Sequence, residues 1–261
     1  MTVSNEGSSG TSDAFLRAQV DAWISSPRGK RLLDQAARNA TRHGCAPPDF
    51  ATIQLPPHDD RCDCCQEIQV RREGAKRAHG LLQLDHDHLT GAFRGWLCSK
   101  CNRGIGLLRD SVAGVQSAVD YLRHECPWLL PYRSPDEQKA WCVEHPEPPS
   151  PRLQKLLQAA VRNAKRLGYA PPDGATIQPA HPDGRCDCCQ QIPKSGRGLK
   201  RQLVERYLDY DHKTGAFRGW LCNPCNRGIG LLRDTAAGVE NALHYLRRDY
   251  PWESTYPYPE Q

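Results

Sequence analysis

The feature that most limits what this chain can fold into is its repetition of itself at an offset of 124 residues. Arg61–Cys62–Asp63–Cys64–Cys65–Gln66 returns as Arg185–Cys186–Asp187–Cys188–Cys189–Gln190. Thr90 to Cys98 returns unchanged as Thr214 to Cys222, and Cys101 to Asp110 as Cys225 to Asp234. No insertion is needed between about Gly29 and Tyr132, so the second copy runs from about Leu153 to Tyr256. This is a duplication, and the expected organisation follows from it. Residues 1–28 form a tail and an amphipathic helix, 29–132 the first copy, 133–152 a Pro-rich linker and 153–261 the second copy.

Each copy is poor in core material, since the whole chain has four Phe and one Met against 21 Gly and 21 Pro. Small domains of that composition need staples, and thirteen Cys are available. The Ser/Gly-rich start, Met1 to Thr11, lacks the basic-then-apolar pattern of a secretory signal. No apolar run reaches transmembrane length, so the chain reads as cytoplasmic, with no membrane partner. An odd Cys count in that setting argues for metal binding over disulfides. A formal charge of +5 permits a nucleic-acid partner.

Apolar spacing predicts a helix over residues 13–25, from Phe15/Leu16, Val20 and Trp23/Ile24. In each copy a helix is expected over Lys30 to His43 or Lys155 to Leu167, stopped by Gly44 or Gly168. Leu81 to Asp87 and Ala92 to Leu97 flank Thr90–Gly91 as a hairpin. A short helix follows from about Cys101, then a final helix with Ser111 as N-cap and Val112, Val115, Val119 and Leu122 on one face. The linker holds seven Pro between Pro127 and Pro151, and its Trp141 and Cys142 suggest that part of it packs.

Each copy offers Cys-x2-Cys twice, as Cys62/Cys65 with Cys98/Cys101 and as Cys186/Cys189 with Cys222/Cys225. Two intervening residues let both thiolates of a pair reach one tetrahedral ion, and four thiolates close its coordination sphere. Two structural zinc ions are therefore expected, with binding energy that is folding energy. Cys-Asp-Cys-Cys is ambiguous, so Cys64 and Cys188 compete as ligands, although spacing favours Cys62 with Cys65 and Cys186 with Cys189. Cys45, Cys126 and Cys142 read as ordinary thiols. The 32 residues between the pairs must hold structure of their own, and the hairpin fits there.

The first hairpin strand ends in Leu84–Asp85–His86–Asp87–His88, and Asn102 follows the second Cys pair. Hydrolysis of a phosphodiester needs a deprotonated water, a neutralised phosphate and a stabilised leaving oxygen. A neutral His can take the water proton, and a Mg2+ on hard oxygen ligands can supply the rest. Asp85 and Asn102 are oxygen ligands of that kind.

Cys-x2-Cys, Leu-Asp-His-Asp-His, Thr-Gly, then Arg-Gly-Trp-Leu-Cys-x2-Cys-Asn resembles the recombination endonuclease VII family, among the His-Me finger (HNH-like) nucleases. The resemblance covers about Arg61 to Arg123 and Arg185 to Arg247. It implies an α+β chain of tandem zinc-stapled, treble-clef-like ββα modules with flanking helices. It also implies His86 as general base, one catalytic Mg2+ on Asp85 and Asn102, and zinc on the four Cys. Family members resolve branched DNA and act as dimers, so DNA, branched DNA included, is the implied partner. His88 shares a strand face with His86 and either assists catalysis or orients its neighbours.

The second copy reads Leu208–Asp209–Tyr210–Asp211–His212. Asp209 and Asn226 remain as vestigial Mg2+ ligands, but a phenol with pKa near 10 is a poor base. A shift of register would make Asp211–His212 the pair instead, against the unchanged spacing to Thr214–Gly215. The expectation is a pseudo-nuclease half beside a catalytically complete one, as an intrachain pseudo-dimer or within a homodimer. Arg94, Lys100, Arg103 and Arg109, with Arg218, Arg227 and Arg233, flank the two sites as candidate phosphate contacts. The competing readings are a non-catalytic zinc module that binds nucleic acid or protein, and a nuclease scaffold turned to another reaction.

Overall fold

Local chemistry sets the helix ends. In the computed structural model, residues 9–70, 82–123, 151–178, 184–192 and 206–248 are described, with a few isolated positions between them. The first apolar pattern forms α1 (Ser9–Ser25). Only its later part covers a core: Val20 is buried, and Trp23 meets Trp96 edge-on with centroids 5.1 Å apart. Phe15 stays 64% exposed. Helix α2 (Pro27–His43) starts before the expected Lys30 because Ser26 caps it, its Oγ accepting the Gly29 N–H, with Pro27 at the first position. It ends at Gly44 in the left-handed conformation and buries Leu33, Ala36 and Ala40.

Strands β1 (Gln83–His86) and β2 (Phe93–Leu97) pair antiparallel. Asp87 closes their turn, its Oδ1 accepting the Leu89 and Thr90 N–H groups. Gly91 has φ +80, and a Cβ there would strike the Pro47 carbonyl. Only glycine fits that corner. Helix α3 (Ser99–Leu107) and helix α4 (Val112–Arg123) complete copy one, with Ser111 Oγ accepting the Gly114 N–H at the start of α4.

Copy two repeats the plan as α5 (Pro151–Leu167), a 3-10 turn (Gly174–Thr176), β3 (Tyr207–Tyr210), β4 (Phe217–Leu221), α6 (Asn223–Leu231) and α7 (Ala236–Arg247). Its hairpin keeps the register of the first. Trp141, Cys142 and Cys126 lie outside the described residues. Among the described residues, no helix is long and apolar enough to cross a membrane.

The chain packs as two compact units, and each draws on both copies. One holds residues 1–103 and 244–261, the other 104–243. Within the second, Gly104 of copy one meets α6 and the residues after it. A Cβ on Gly104 would lie 2.8 Å from Leu232 Cγ and 3.3 Å from the Gly228 carbonyl oxygen. Arg123 of α4 pairs with Glu240 of α7 at 2.7 Å. Within the first unit, the end of α7 and the residue after it meet the β1–β2 hairpin, where Arg248 Nη2 donates to the Phe93 carbonyl at 3.1 Å.

Candidate active site and metal clusters

The sulfur atoms of Cys62, Cys65, Cys98 and Cys101 all lie within 4.8 Å of one another, as do those of Cys186, Cys189, Cys222 and Cys225. Cys64 and Cys188 are buried beside Cys101 and Cys225 but are not among the four sulfurs of either cluster. Backbone N–H groups aim at the sulfurs: Cys98 N donates to Cys62 Sγ at 3.2 Å and Cys222 N to Cys186 Sγ at 3.3 Å. Crowding spreads the acidities. Contact with Cys101 and Cys62 pushes the Cys65 thiol down to about 6, whereas contact with Cys62 pushes Cys101 up. Four soft thiolate donors at this spacing fit a tetrahedral zinc ion, whose Zn–S distance is about 2.3 Å. Each cluster is tied to its hairpin by an aspartate, since Asp63 Oδ2 accepts the Trp96 N–H and Asp187 Oδ2 the Trp220 N–H, both at 2.7 Å.

The pairing of β1 and β2 slips by one residue between Asp85, opposite Gly95, and His86, opposite Phe93. Arg94 is the extra residue of this bulge, and such bulges re-aim side chains. Its guanidinium grips Asp85 two-handed, Nε to Oδ2 at 2.9 Å and Nη2 to Oδ1 at 3.0 Å. Tyr245 adds a third donor, its hydroxyl lying 2.7 Å from Asp85 Oδ2. All three side chains are buried.

His86 is also buried, with Nε2 at 3.0 Å from the Ala46 carbonyl oxygen. A carbonyl only accepts, so Nε2 carries the proton and Nδ1 is the basic nitrogen of the neutral ring. Burial holds the His86 pKa below its ordinary value, against the rise that the Ala46 hydrogen bond causes, and the charge of His88 adds to the lowering. His88 stands edge-on to His86 at 5.2 Å and is half-buried. Asn102 Nδ2 donates to Gln83 Oε1 at 2.7 Å, which commits its nitrogen and leaves the amide oxygen as the ligating end. Asp85 Oδ1, with one donor against two on Oδ2, is the less committed carboxylate oxygen. An anionic oxygen and an amide oxygen fit a hard divalent cation in kind.

The cations divide. Lys100, Arg103, Arg109, Arg227 and Arg233 are exposed, and Arg109 Nη2 donates to the Cys189 carbonyl at 3.3 Å. Arg94 and Arg218 are instead turned onto carboxylates: Arg218 binds Asp209 through Nε at 2.8 Å and Nη2 at 3.0 Å, and also reaches Asp234.

In copy two Tyr210 is buried where His86 stands in copy one, and burial together with the Asp209 charge raises its phenol pKa. His212 is held between Asp234, at 2.7 Å from Nδ1, and the ring of Tyr169, stacked at 4.5 Å. Asp209 repeats the setting of Asp85, with Tyr121 donating to its Oδ2 at 2.8 Å. Burial raises the Asp209 pKa, opposed chiefly by the Arg218 charge. Tyr121 and Tyr245 were not among the site residues expected from sequence. One signal was there to find: both stand at the repeat offset, before Leu122–Arg123 and Leu246–Arg247, although Asp120 and His244 just ahead of them differ.

The family model of recombination endonuclease VII matches residues 42–124 and 168–248, more than half of the chain. The "Gene 59 protein" of Mycobacterium phage D29 is 47% identical over 64 residues, 24% of this chain and 34% of that protein. Its counterpart of Mycobacterium phage L5 is 41% identical over 64 residues, 24% of this chain and 35% of that one. The match thus spans about a third of the length of these curated relatives. No solved structure matches.

Proposed function

This chain belongs to the recombination endonuclease VII family, and on that premise we propose that it is a Mg2+-dependent DNA endonuclease whose working centre lies in copy one. The observation that carries the reading is the His86 ring, neutral by burial and fixed by the Ala46 carbonyl with Nδ1 as its basic nitrogen. His86 takes the proton of the attacking water at Nδ1, a role worth about 10²–10⁴-fold. A Mg2+ held by Asp85 and Asn102 would neutralise the scissile phosphate and stabilise the leaving oxygen. Arg94 holds the Asp85 carboxylate in a fixed orientation through two hydrogen bonds. Lys100, Arg103, Arg109 and Arg227 are exposed for phosphate contacts. His88, beside His86, orients the base.

Copy two is then a pseudo-nuclease. Tyr210 supplies no base at neutral pH, while Asp209 and Asn226 persist as vestigial ligands. That each compact unit draws on both copies supports an intrachain pseudo-dimer, in which copy one cuts and copy two grips the substrate. One working centre per chain makes nicks.

The test is cleavage of supercoiled plasmid and of a synthetic four-way junction with Mg2+ by zinc-loaded protein. Wild type is expected to produce nicked circles, and His86→Ala to lose that activity. Tyr210→His is expected to add a second cut. A folded wild type that binds DNA without cutting it would leave a zinc-containing binding module instead.

A further inference from the structure

We infer that Tyr245, carried by the last helix of copy two, is a positioning residue for the active centre of copy one, holding the Asp85 carboxylate in the orientation that takes the divalent cation. This rests on the nuclease reading above. The Tyr245 side chain is fully buried, and its hydroxyl donates to Asp85 Oδ2 at 2.7 Å. The Arg94 fork fixes the carboxylate plane, and the Tyr245 hydroxyl commits Oδ2 a second time. Oδ1 is left as the oxygen with lone-pair capacity to spare.

The hairpin is built to admit the ring. A Cβ on Gly95, the residue opposite Asp85, would lie 3.0 Å from Tyr245 Cε2 and 2.6 Å from Asp63 Oδ2. The same construction occurs independently in the other unit, where Tyr121 donates to Asp209 and a Cβ on Gly219 would lie 2.9 Å from the Tyr121 hydroxyl. Tyr121 belongs to copy one and Tyr245 to copy two, so each copy lends its last helix to the carboxylate of the other. Copy two therefore completes the cutting centre by a route that needs no histidine of its own.

The experiment compares wild type, Tyr245→Phe and Tyr121→Phe in the zinc-loaded full chain. Both variants lose one equivalent buried hydroxyl, so the drop in Tm should be alike. Two further readings separate positioning from packing. One is the affinity for Mn2+ at Asp85, followed by electron paramagnetic resonance as the bound fraction that Asp85→Asn abolishes. The other is the single-turnover nicking rate. Tyr245→Phe is expected to weaken both by about tenfold to a hundredfold beyond Tyr121→Phe, the usual effect of losing a partner of a ligating group. Equal effects of the two variants, with wild type nicking and His86→Ala inactive, overturn this inference alone. A wild type that does not nick overturns the nuclease reading and this inference with it. Should Tyr245→Phe lose its zinc, a measurement on wild type decides. The Tyr245 Cζ resonance in ¹³C-labelled protein is expected to shift on Mg2+ binding, and one that stays fixed at saturating Mg2+ overturns the inference.

Discussion

Replacing Cys98 by Ala should unfold the knuckle and hairpin of copy one. The four sulfurs all lie within 4.8 Å of one another, near enough for one tetrahedral ion with bonds of about 2.3 Å. The ion contributes about 10–16 kcal/mol in small zinc modules, comparable to the whole stability of a domain, about 5–15 kcal/mol. Loss of one ligand forfeits much of that. It also strands the Cys101 N–H, which donates to Cys98 Sγ at 3.4 Å, at about 1–3 kcal/mol more. The control is Cys64→Ala, equally buried but outside the cluster, where truncation should cost only about 1–2 kcal/mol. The assay is zinc released to a colorimetric chelator, read beside a thermal melt. Two equivalents are expected from wild type and Cys64→Ala, and one from Cys98→Ala and from Cys222→Ala. A Cys98→Ala protein that keeps both ions and melts like wild type would rule out Cys98 as a zinc ligand, and zinc loss in Cys64→Ala would rule out the Cys62/Cys65 pairing.

Burial lowers the His86 pKa, so the base stays neutral through pH 7 and the nicking rate should fall only below about pH 6.5. The same sign makes acid destabilising through this residue, because the unfolded chain binds the proton more readily; an acid limb centred above pH 7 would contradict both statements. Gly91→Ala should lower Tm more than Gly44→Ala. Both positions have positive φ, at about 1–2 kcal/mol for a left-handed residue, but only at Gly91 would a Cβ meet the Pro47 carbonyl, whereas Gly44 faces open space. Removing the exposed Lys100 or Arg103 should weaken DNA binding uniformly across sequences and reduce the slope of log affinity against log salt by about one each. An unchanged slope would show that these side chains do not touch phosphate.

Much of this protein was legible along the chain because its chemistry is local. Cys-x2-Cys at a fixed repeat spacing brings two thiols onto one ion, and that rule alone selected the eight sulfurs that cluster. Thr-Gly marked the hairpin corner, although the requirement for glycine lies in Pro47, which no local rule names. Alternation along a strand puts His86 and His88 on one face, and the two rings meet edge-on at 5.2 Å. The one-residue bulge at Arg94 has no such periodic signal, because a bulge leaves no signature in side-chain pattern. The same bulge turned Arg94 from a candidate phosphate contact into the partner of Asp85.

Residue types and their spacing specify the duplication, the two four-thiol sets, the hairpin between the Cys pairs of each copy and the Tyr at position 210 that sets the copies apart. That Tyr245 bonds Asp85 and Tyr121 bonds Asp209 is visible only once the chain is packed, because the chain is duplicated. Both hairpins present the same Asp and Gly, and both last helices the same Tyr, so packing within a copy and packing across copies satisfy the same local pattern. The choice between them is made by packing over the whole chain, a global property that the residues of the site do not encode.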